Sequence, residues 1–494
     1  MARLFVFGIG GTGSRVIKSL IMLLSAGIKP GDFDEVIPII IDPHKDLKEL
    51  NDCKRLIRLY SDINRVVYGD NSKITDGYFR TKVSTLKTAS TDKSLKDDID
   101  FDEGSKEPFQ DFISLGKIKK LSPTTKDLLS LLYSEQNFKQ PLNVGFKGNP
   151  HMGSMALNSL FGGRAFRTFK SIYGNDDRIF IISSVFGGTG AAGFPLLLKN
   201  LRQNDNPAIR DCQIGALSVL PYFKLKEAKE TSDIDSNDFM TKTKSALTYY
   251  NNPDFMEQYN SLYYIADLDG QTEGYENNEK TQPNKAHLVE LLGAISIVHF
   301  AKRNNHRNGE VKEYCIGGNV QGVNFKNIGN TTRNMIKTKL TTLHLLSKIH
   351  TEIKENCKNL SFCKANDFST NFFQNDFFAD EENGLEIFLN EFYSKWISEL
   401  EKNQRSFIPF NLKVNKSFNH LVYGNESEKR LFDGYFSKPV DKSDLLNRIS
   451  KTTIDKDVRL LKDSLKYCQY LTMCWLGSTE FVQTNFKSQD NGKL

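Results

Sequence analysis

The chain has 494 residues, 39% hydrophobic and 26% charged, with a formal net charge of +6. That composition fits a soluble globular protein of two or three domains with room for a large core. It does not indicate nucleic acid, because the positive charge is not gathered into a block, and no apolar run reaches membrane-spanning length.

The seven cysteines (Cys53, Cys212, Cys315, Cys357, Cys363, Cys468 and Cys474) are odd in number and scattered. The eight histidines form no cluster. Both facts point to reduced thiols in a cytoplasmic protein and to no metal site. The N-terminus, MARLFVFGIGG, lacks a signal peptide's order and runs straight into a strand and a glycine turn.

Arg3–Phe7 reads as a short apolar strand, Gly8–Arg15 as a glycine turn and Val16–Leu24 as an apolar helix. Val36–Ile41 is the next strand, ending at Asp42, which completes a βαβ unit. Leu47–Val67 carries helical periodicity, while Thr81–Glu107 is polar and reads as a mobile loop. Asn143–Gly163 is a second glycine loop leading into a short helix. In Arg178–Arg202 an apolar run (Ile179–Val185) meets a turn with Gly187, Gly188, Gly190 and Gly193, and a helix follows. Gln213–Leu220 and Leu262–Ala266 are further strands. This alternation argues for an α/β fold with a doubly wound, Rossmann-like parallel sheet. His287–Ala301 is apolar on nearly every face and belongs inside the protein, as a rod between two domains. Asn334–Ile353, Leu385–Glu399 and Asp455–Leu471 read as helices of a C-terminal third that also holds aromatic-rich strand candidates.

Strand, glycine turn, helix is a phosphate-binding arrangement. Glycines let the backbone approach an anion, and free N–H groups at a helix start supply donors and partial positive charge. Gly8-x-Gly10-x-x-Gly13, with Asp42 at the next strand end, also fits a dinucleotide fingerprint, so an NAD-binding Rossmann enzyme is one alternative. Closing a tight turn without a ligand is another. Neither glycine turn carries the Lys-Ser/Thr of a P-loop.

Five ordered segments resemble the tubulin/FtsZ superfamily of GTPases. FGIGGTGSR (Phe7–Arg15) resembles its first phosphate loop, and GFKGNPHMG (Gly145–Gly153) resembles the FtsZ loop GAGGNPEIG, which faces the γ-phosphate. FGGTGAAGFP (Phe186–Pro195) resembles the signature GGGTGTGAAP, LSVLPYF (Leu217–Phe223) the strand and loop beside the ribose, and HLVELLGAISIVHFA the core helix. The resemblance implies a nucleotide-binding domain over 1–284 with an insertion at about 45–140. A core helix at 285–302 and an α+β second domain over 303–494 would follow. It implies GTP or GDP with Mg²⁺, held by Gly8, Gly10, Gly11, Thr12, Gly13, Asp42, Gly145, Lys147, Gly148, Asn149, Gly187, Gly188, Thr189 and Gly190. Glu227 is the candidate ribose contact. Asp267 stands where the family has Asn and suits guanine, whose N1–H and N2–H one carboxylate accepts. Asn284 is the candidate beside the base.

The chain departs from the family at several points. Phe186 replaces the first signature glycine, and Lys147 a glycine of the γ-phosphate loop. In the family a loop after the core helix reaches a neighbouring subunit's γ-phosphate with acids, NVDFADV in FtsZ. Here GVNFKNI (Gly322–Ile328) puts Asn324 and Asn327 at the two acid positions, with Glu310 or Glu313 as substitutes from a rearranged loop. An amide is no general base, and loss of one costs roughly 10²–10⁴-fold in rate. The expectation is a bacterial cytoskeletal GTP-binding protein that stacks head to tail into filaments and hydrolyses GTP slowly or not at all. The alternative of a different class is a non-polymerising GTP-binding module. It would recruit a partner protein through the insertion or C-terminal third, in a system such as DNA segregation or phage defence.

Overall fold

The computed structural model describes residues 2–44, 47–69, 75–90, 92, 94–95, 107–115, 122–142, 146, 149–223, 238–267, 284–303, 309–315, 322–414, 417–423, 440–452 and 464–486. Among the described residues, seven strands form one sheet: β1 (Arg3–Ile9), β2 (Glu35–Ile41), β3 (Lys82–Val83), β4 (Arg178–Ser184), β5 (Ile214–Val219), β6 (Ser261–Ala266) and β7 (Glu310–Cys315). Their order is β3-β2-β1-β4-β5-β6-β7, and every pairing is parallel. β2 (EVIPIII) and β5 (IGALSV) are buried throughout. A parallel sheet is covered on both faces, so its strands read as continuous apolar runs rather than alternating ones.

Helix α1 (Gly10–Ser25) follows β1 directly, six residues earlier than its apolar run suggests. Helix α2 (Lys48–Tyr68) lies beyond β2, and α3 (Pro150–Asn158) precedes β4. Helix α4 (Gly188–Arg202) follows β4. Helix α5 (Leu288–Lys302) is the expected core helix, buried from Leu288 through Ala301 except at Leu292 and His299. It does not end the sheet, however. It crosses over α1 from β6 to β7, and β7 pairs with β6 from Ser261↔Glu310 to Ala266↔Cys315. The strand missed from sequence, EVKEYC, is polar because it is the sheet edge. The region expected to open a second domain at 303 therefore contributes a strand to the N-terminal sheet.

Beyond β7 the chain folds as helices, chiefly α6 (Asn330–Asn356), α7 (Ser394–Lys402), α8 (Lys442–Lys451) and α9 (Ser464–Asn485). Among the described residues after Cys315 there is no strand. Isolated bridges join Val323 to Phe407, Phe410 to Val422 and Ser417 to Asp441. The aromatic-rich stretches Thr370–Phe373 and Asp376–Ala379 make single helical turns. Ser369 and Asn375 cap them through the amides of Phe372 and Phe377. Their rings pack with Tyr467 and Tyr470 of α9. Capping and burial outweigh the strand preference of the aromatics.

The expected insertion is partly core. α2 packs on α1 and α9. The Tyr78 ring meets Trp475 at 4.9 Å, and its hydroxyl donates to the Thr342 carbonyl at 2.8 Å. Phe79 meets Phe388 at 4.8 Å. One contiguous apolar cluster runs from Leu4 to Phe486. The stretch 96–106 of the expected loop lies outside the described residues.

Candidate functional site

In this strand order the chain winds one way from β1 through β2 to β3 and the other way from β4 to β7. The reversal falls between β1 and β4, and α/β proteins bind ligands outside the carboxyl ends of the strands at such a point. Both glycine turns leave the sheet there. Gly10 takes φ +71°, a left-handed backbone suited to glycine, and a methyl on it would lie 3.5 Å from Thr189 Cβ and 3.7 Å from Gly190 N. The two turns thus face each other across the switch point.

The third glycine segment joins them from the side of α3. A methyl on Gly153 would meet Ala192 Cβ at 2.8 Å and the Gly188 carbonyl at 3.1 Å, and one on Gly193 would meet Ile9 Cγ2 at 2.8 Å. Gly145, Lys147 and Gly148 lie outside the described residues, as does Glu227. Asn149 is described, and it caps α3: its Oδ1 accepts from the amides of His151 and Met152 at 3.1 and 3.3 Å.

The two helices at the switch point differ from α3 in this respect. Ile9 before α1 and Gly187 before α4 make no side-chain cap hydrogen bond. The first four N–H groups of a helix have no partner inside it. Gly10, Gly11, Thr12 and Gly13, and Gly188, Thr189 and Gly190, are those first-turn residues. Thr189 is half-buried, and its hydroxyl makes no hydrogen bond among the described residues. It does not cap its helix. Phe186, in place of the family's first glycine, is a core residue whose ring packs on Phe239 at 4.9 Å and Phe223 at 5.4 Å.

Asp42 sits at the end of β2 and is buried. One oxygen accepts from the His44 amide at 2.9 Å, and the residue lines a small apolar pocket with Phe112, Leu142 and Phe146. The acid thus serves its own turn under an apolar wall.

On the β6 side, a buried polar network surrounds the start of α5. Arg15 donates through Nε to Glu290 at 2.5 Å and through Nη1 and Nη2 to the carbonyls of Asn284 and Lys285. Glu290 also accepts from the Tyr222 hydroxyl and closes a capping box on the His287 amide. His287 Nδ1 accepts from the Val289 amide at 3.0 Å, so the ring proton is on Nε2, 3.8 Å from Asp267. Burial, reinforced by Arg15 and Arg405, lowers the His287 pKa to about 3, so the ring is neutral. Asp267 is not an open acceptor at this strand end. Arg405 donates to it from Nε at 2.8 Å and Nη2 at 2.7 Å, and its side chain is 1% exposed.

This network was missed from sequence except for Asp267 and Asn284. Glu290 had a signal, as the lone acid in an apolar helix. Arg405 had none, being 138 residues from its partner.

The segment 322–328 forms a short helical turn. Asn324 Oδ1 accepts from the Lys326 amide, and Asn327 Oδ1 accepts from the Asn324 amide, both at 2.9 Å. The two amides therefore hold the turn itself. Glu310, the expected substitute acid, is paired with two cations. Arg303 and Lys312 each reach it at 2.8 Å. Hydrogen bonds from these cations hold its pKa down to about 2, far too low for a base at neutral pH. The Glu313 side chain lies outside the described residues.

No protein-family model matches the chain. No curated protein matches it either. Among solved structures it is similar to a GTPyS-form protofilament of TubZ from Bacillus thuringiensis serovar israelensis, at 14% identity and a TM-score of 0.22. The match covers 53% of this chain and 47% of that one, so the chain aligns with about half the length of that protein. No described helix is long and apolar enough to cross a membrane.

Proposed function

We propose that the protein binds GTP or GDP in the manner of the tubulin/FtsZ GTPases and self-associates head to tail, with slow or absent hydrolysis. The observation that carries the nucleotide reading is the approach of Gly10 to Thr189 and Gly190 at the β1/β4 switch point, between two helix starts without side-chain caps. Two such starts aimed at one place suit a chain of phosphates, through backbone N–H donors and two helix dipoles. The Thr12 and Thr189 hydroxyls are oxygen donors of the kind that suits a Mg²⁺ carried by the phosphates, since Mg²⁺ keeps most of its ligands as phosphate and water. When bound, that ion would neutralise phosphate charge.

Guanine and self-association rest on the sequence motifs. Gly145–Gly153, Phe186–Pro195 and Gly322–Ile328 occur in the family's order. Slow hydrolysis is favoured by Asn324 and Asn327 and by the pairing of Glu310 with Arg303 and Lys312. At Asp42, the acid on which the NAD alternative rests, one carboxylate oxygen accepts from the His44 amide of its own turn.

Mass spectrometry of the ligand released from purified, denatured protein tests the nucleotide. GTP or GDP is expected; a dinucleotide would overturn the reading in favour of the NAD enzyme. Light scattering with GTP and a non-hydrolysable analogue tests assembly, and a monomer with bound GTP on sedimentation would favour the interaction module instead.

A further inference from the structure

We propose that Arg405 is a resident occupant of the guanine-recognising carboxylate, so that guanine must exchange with it, and that the exchange loosens the 322–328 turn. This rests on the GTP reading above. Arg405 presents Nε–H and Nη2–H side by side to the two oxygens of Asp267, at 2.8 and 2.7 Å. The Watson–Crick edge of guanine presents N1–H and N2–H in the same parallel fashion. One carboxylate serves one such pair at a time. Asp267 is buried under Arg405, whose own side chain is 9% exposed, so the base reaches the carboxylate only when the arginine leaves.

Arg405 is also one end of a strap. Its amide donates to Asn403 Oδ1, and Asn403 Nδ2 donates to the Ala286 carbonyl ahead of α5. Next to it, Ser406 accepts from the Val323 amide at 2.9 Å, and the Ile408 amide donates back to Val323 at 2.7 Å. Phe407 lies against Phe325, which is fully buried. Four residues thus connect the acid at the mouth of β6 to the turn holding Asn324 and Asn327. Release of the guanidinium removes the Arg405–Asp267 ion pair that ties this strap to the sheet end. A charge-assisted fork is stronger than two neutral hydrogen bonds. Arg405 therefore lowers apparent GTP affinity by the fraction of time it stays in place.

The test is calorimetric titration of GTP, ITP and ATP, each with Mg²⁺, into the wild type, R405M and the double variant D267N/R405M. ITP lacks the N2–H donor, and ATP lacks the pair. R405M is expected to bind GTP roughly tenfold tighter than wild type, to gain less for ITP and nothing for ATP. The double variant is expected to lose the gain. Hydrogen exchange at the Val323 and Ile408 amides is expected to speed up when GTP is added to wild type, and to be fast already in R405M.

Unchanged or weaker GTP binding by folded R405M, or an equal gain for ATP, overturns the exchange while leaving the GTP reading intact. Absence of binding of all three nucleotides to wild type and R405M alike overturns both. Should R405M not fold, R405K, which keeps the charge without the fork, is expected to show a smaller gain of the same order GTP over ITP over ATP. No gain in R405K would overturn the proposal.

Discussion

Gly13 of α1 rests backbone to backbone on Gly8 of β1: a methyl on Gly13 would sit 2.4 Å from the Gly8 carbonyl carbon and 2.7 Å from its Cα. Neither atom has a side chain that could turn aside. This contact brings the start of α1 down onto the strand and so aims its first N–H groups at the switch point. Gly13→Ala is expected to destabilise the protein by about 3 kcal/mol, the upper end for overpacking, since only backbone shifts relieve it. Gly162→Ala and Gly329→Ala, where an added methyl meets nothing within 4 Å, are expected to stay near wild type. Urea unfolding of the three variants checks the contrast, and a wild-type midpoint for Gly13→Ala would refute the packing argument.

The Thr189 hydroxyl has no hydrogen bond among the described residues, although its side chain faces Gly10. Thr189→Val keeps the shape and the β-branch while removing the donor. Stability is expected to hold within about 0.5 kcal/mol. Affinity for GTP is expected to fall about tenfold, as for loss of one hydrogen bond to a charged group. Calorimetric titration beside a thermal melt separates the two effects. Unaltered GTP affinity would remove Thr189 from the phosphate site.

Two buried imidazoles set an acid limit on the fold. His344 of α6 is stacked on Phe410 with ring centroids 4.2 Å apart, and burial lowers its pKa to about 3, as it does for His287. Both nitrogens of His344 lack a hydrogen-bond partner among the described residues. Unfolded histidine takes up a proton near pH 6.5, whereas these folded rings stay neutral down to about 3. Between those values the unfolded state binds more protons, so stability is complete above about 6.5 and falls with decreasing pH. Each ring contributes a slope of up to about 1.4 kcal/mol per pH unit. His344→Phe keeps the stack and removes the titration. Its loss of stability from pH 7.5 to pH 5 is expected to be smaller than wild type by about 2 kcal/mol. Equal losses in both proteins would show that His344 does not titrate in this way.

Much of the sheet was legible because a doubly covered parallel strand is an apolar run, as in VIPIII and IFIISS. The glycine turns were legible because only glycine allows Gly8 and Gly13 to touch or Gly10 to take φ +71°. β7 was not legible, since an edge strand carrying Glu310 and Lys312 has the pattern of a surface loop. With β7 in place, α5, expected as a rod, is also the crossover from β6 to β7. Asn149 is expected from the motif beside a phosphate, and Asn324 and Asn327 as inactive replacements for two acids. Their side chains satisfy the amides of their own turns, an outcome that depends on local backbone geometry. The fate of Asp267 depended on Arg405, a pairing created by tertiary folding alone.

The asparagines of the 322–328 turn allow hydrolysis to be tested without disturbing the fold. Asn324 holds the turn through Oδ1, which aspartate retains, and Asn and Asp are equivalent as caps. Asn327 likewise acts through Oδ1 on the Asn324 amide. Asn327→Asp and Asn324→Asp should therefore fold as wild type while adding a carboxylate to an otherwise neutral pair. In the head-to-tail reading this turn meets the nucleotide of another copy. The added base is then expected to raise GTP turnover by about 10²–10⁴-fold in the better placed of the two variants. Because the base and the nucleotide belong to different copies, turnover per molecule should climb with protein concentration until assembly saturates. Phosphate release measured across a concentration series reads both effects. Turnover that rises without any dependence on concentration would place the base and the nucleotide in one copy. No rise in either variant would remove this turn from the hydrolytic site.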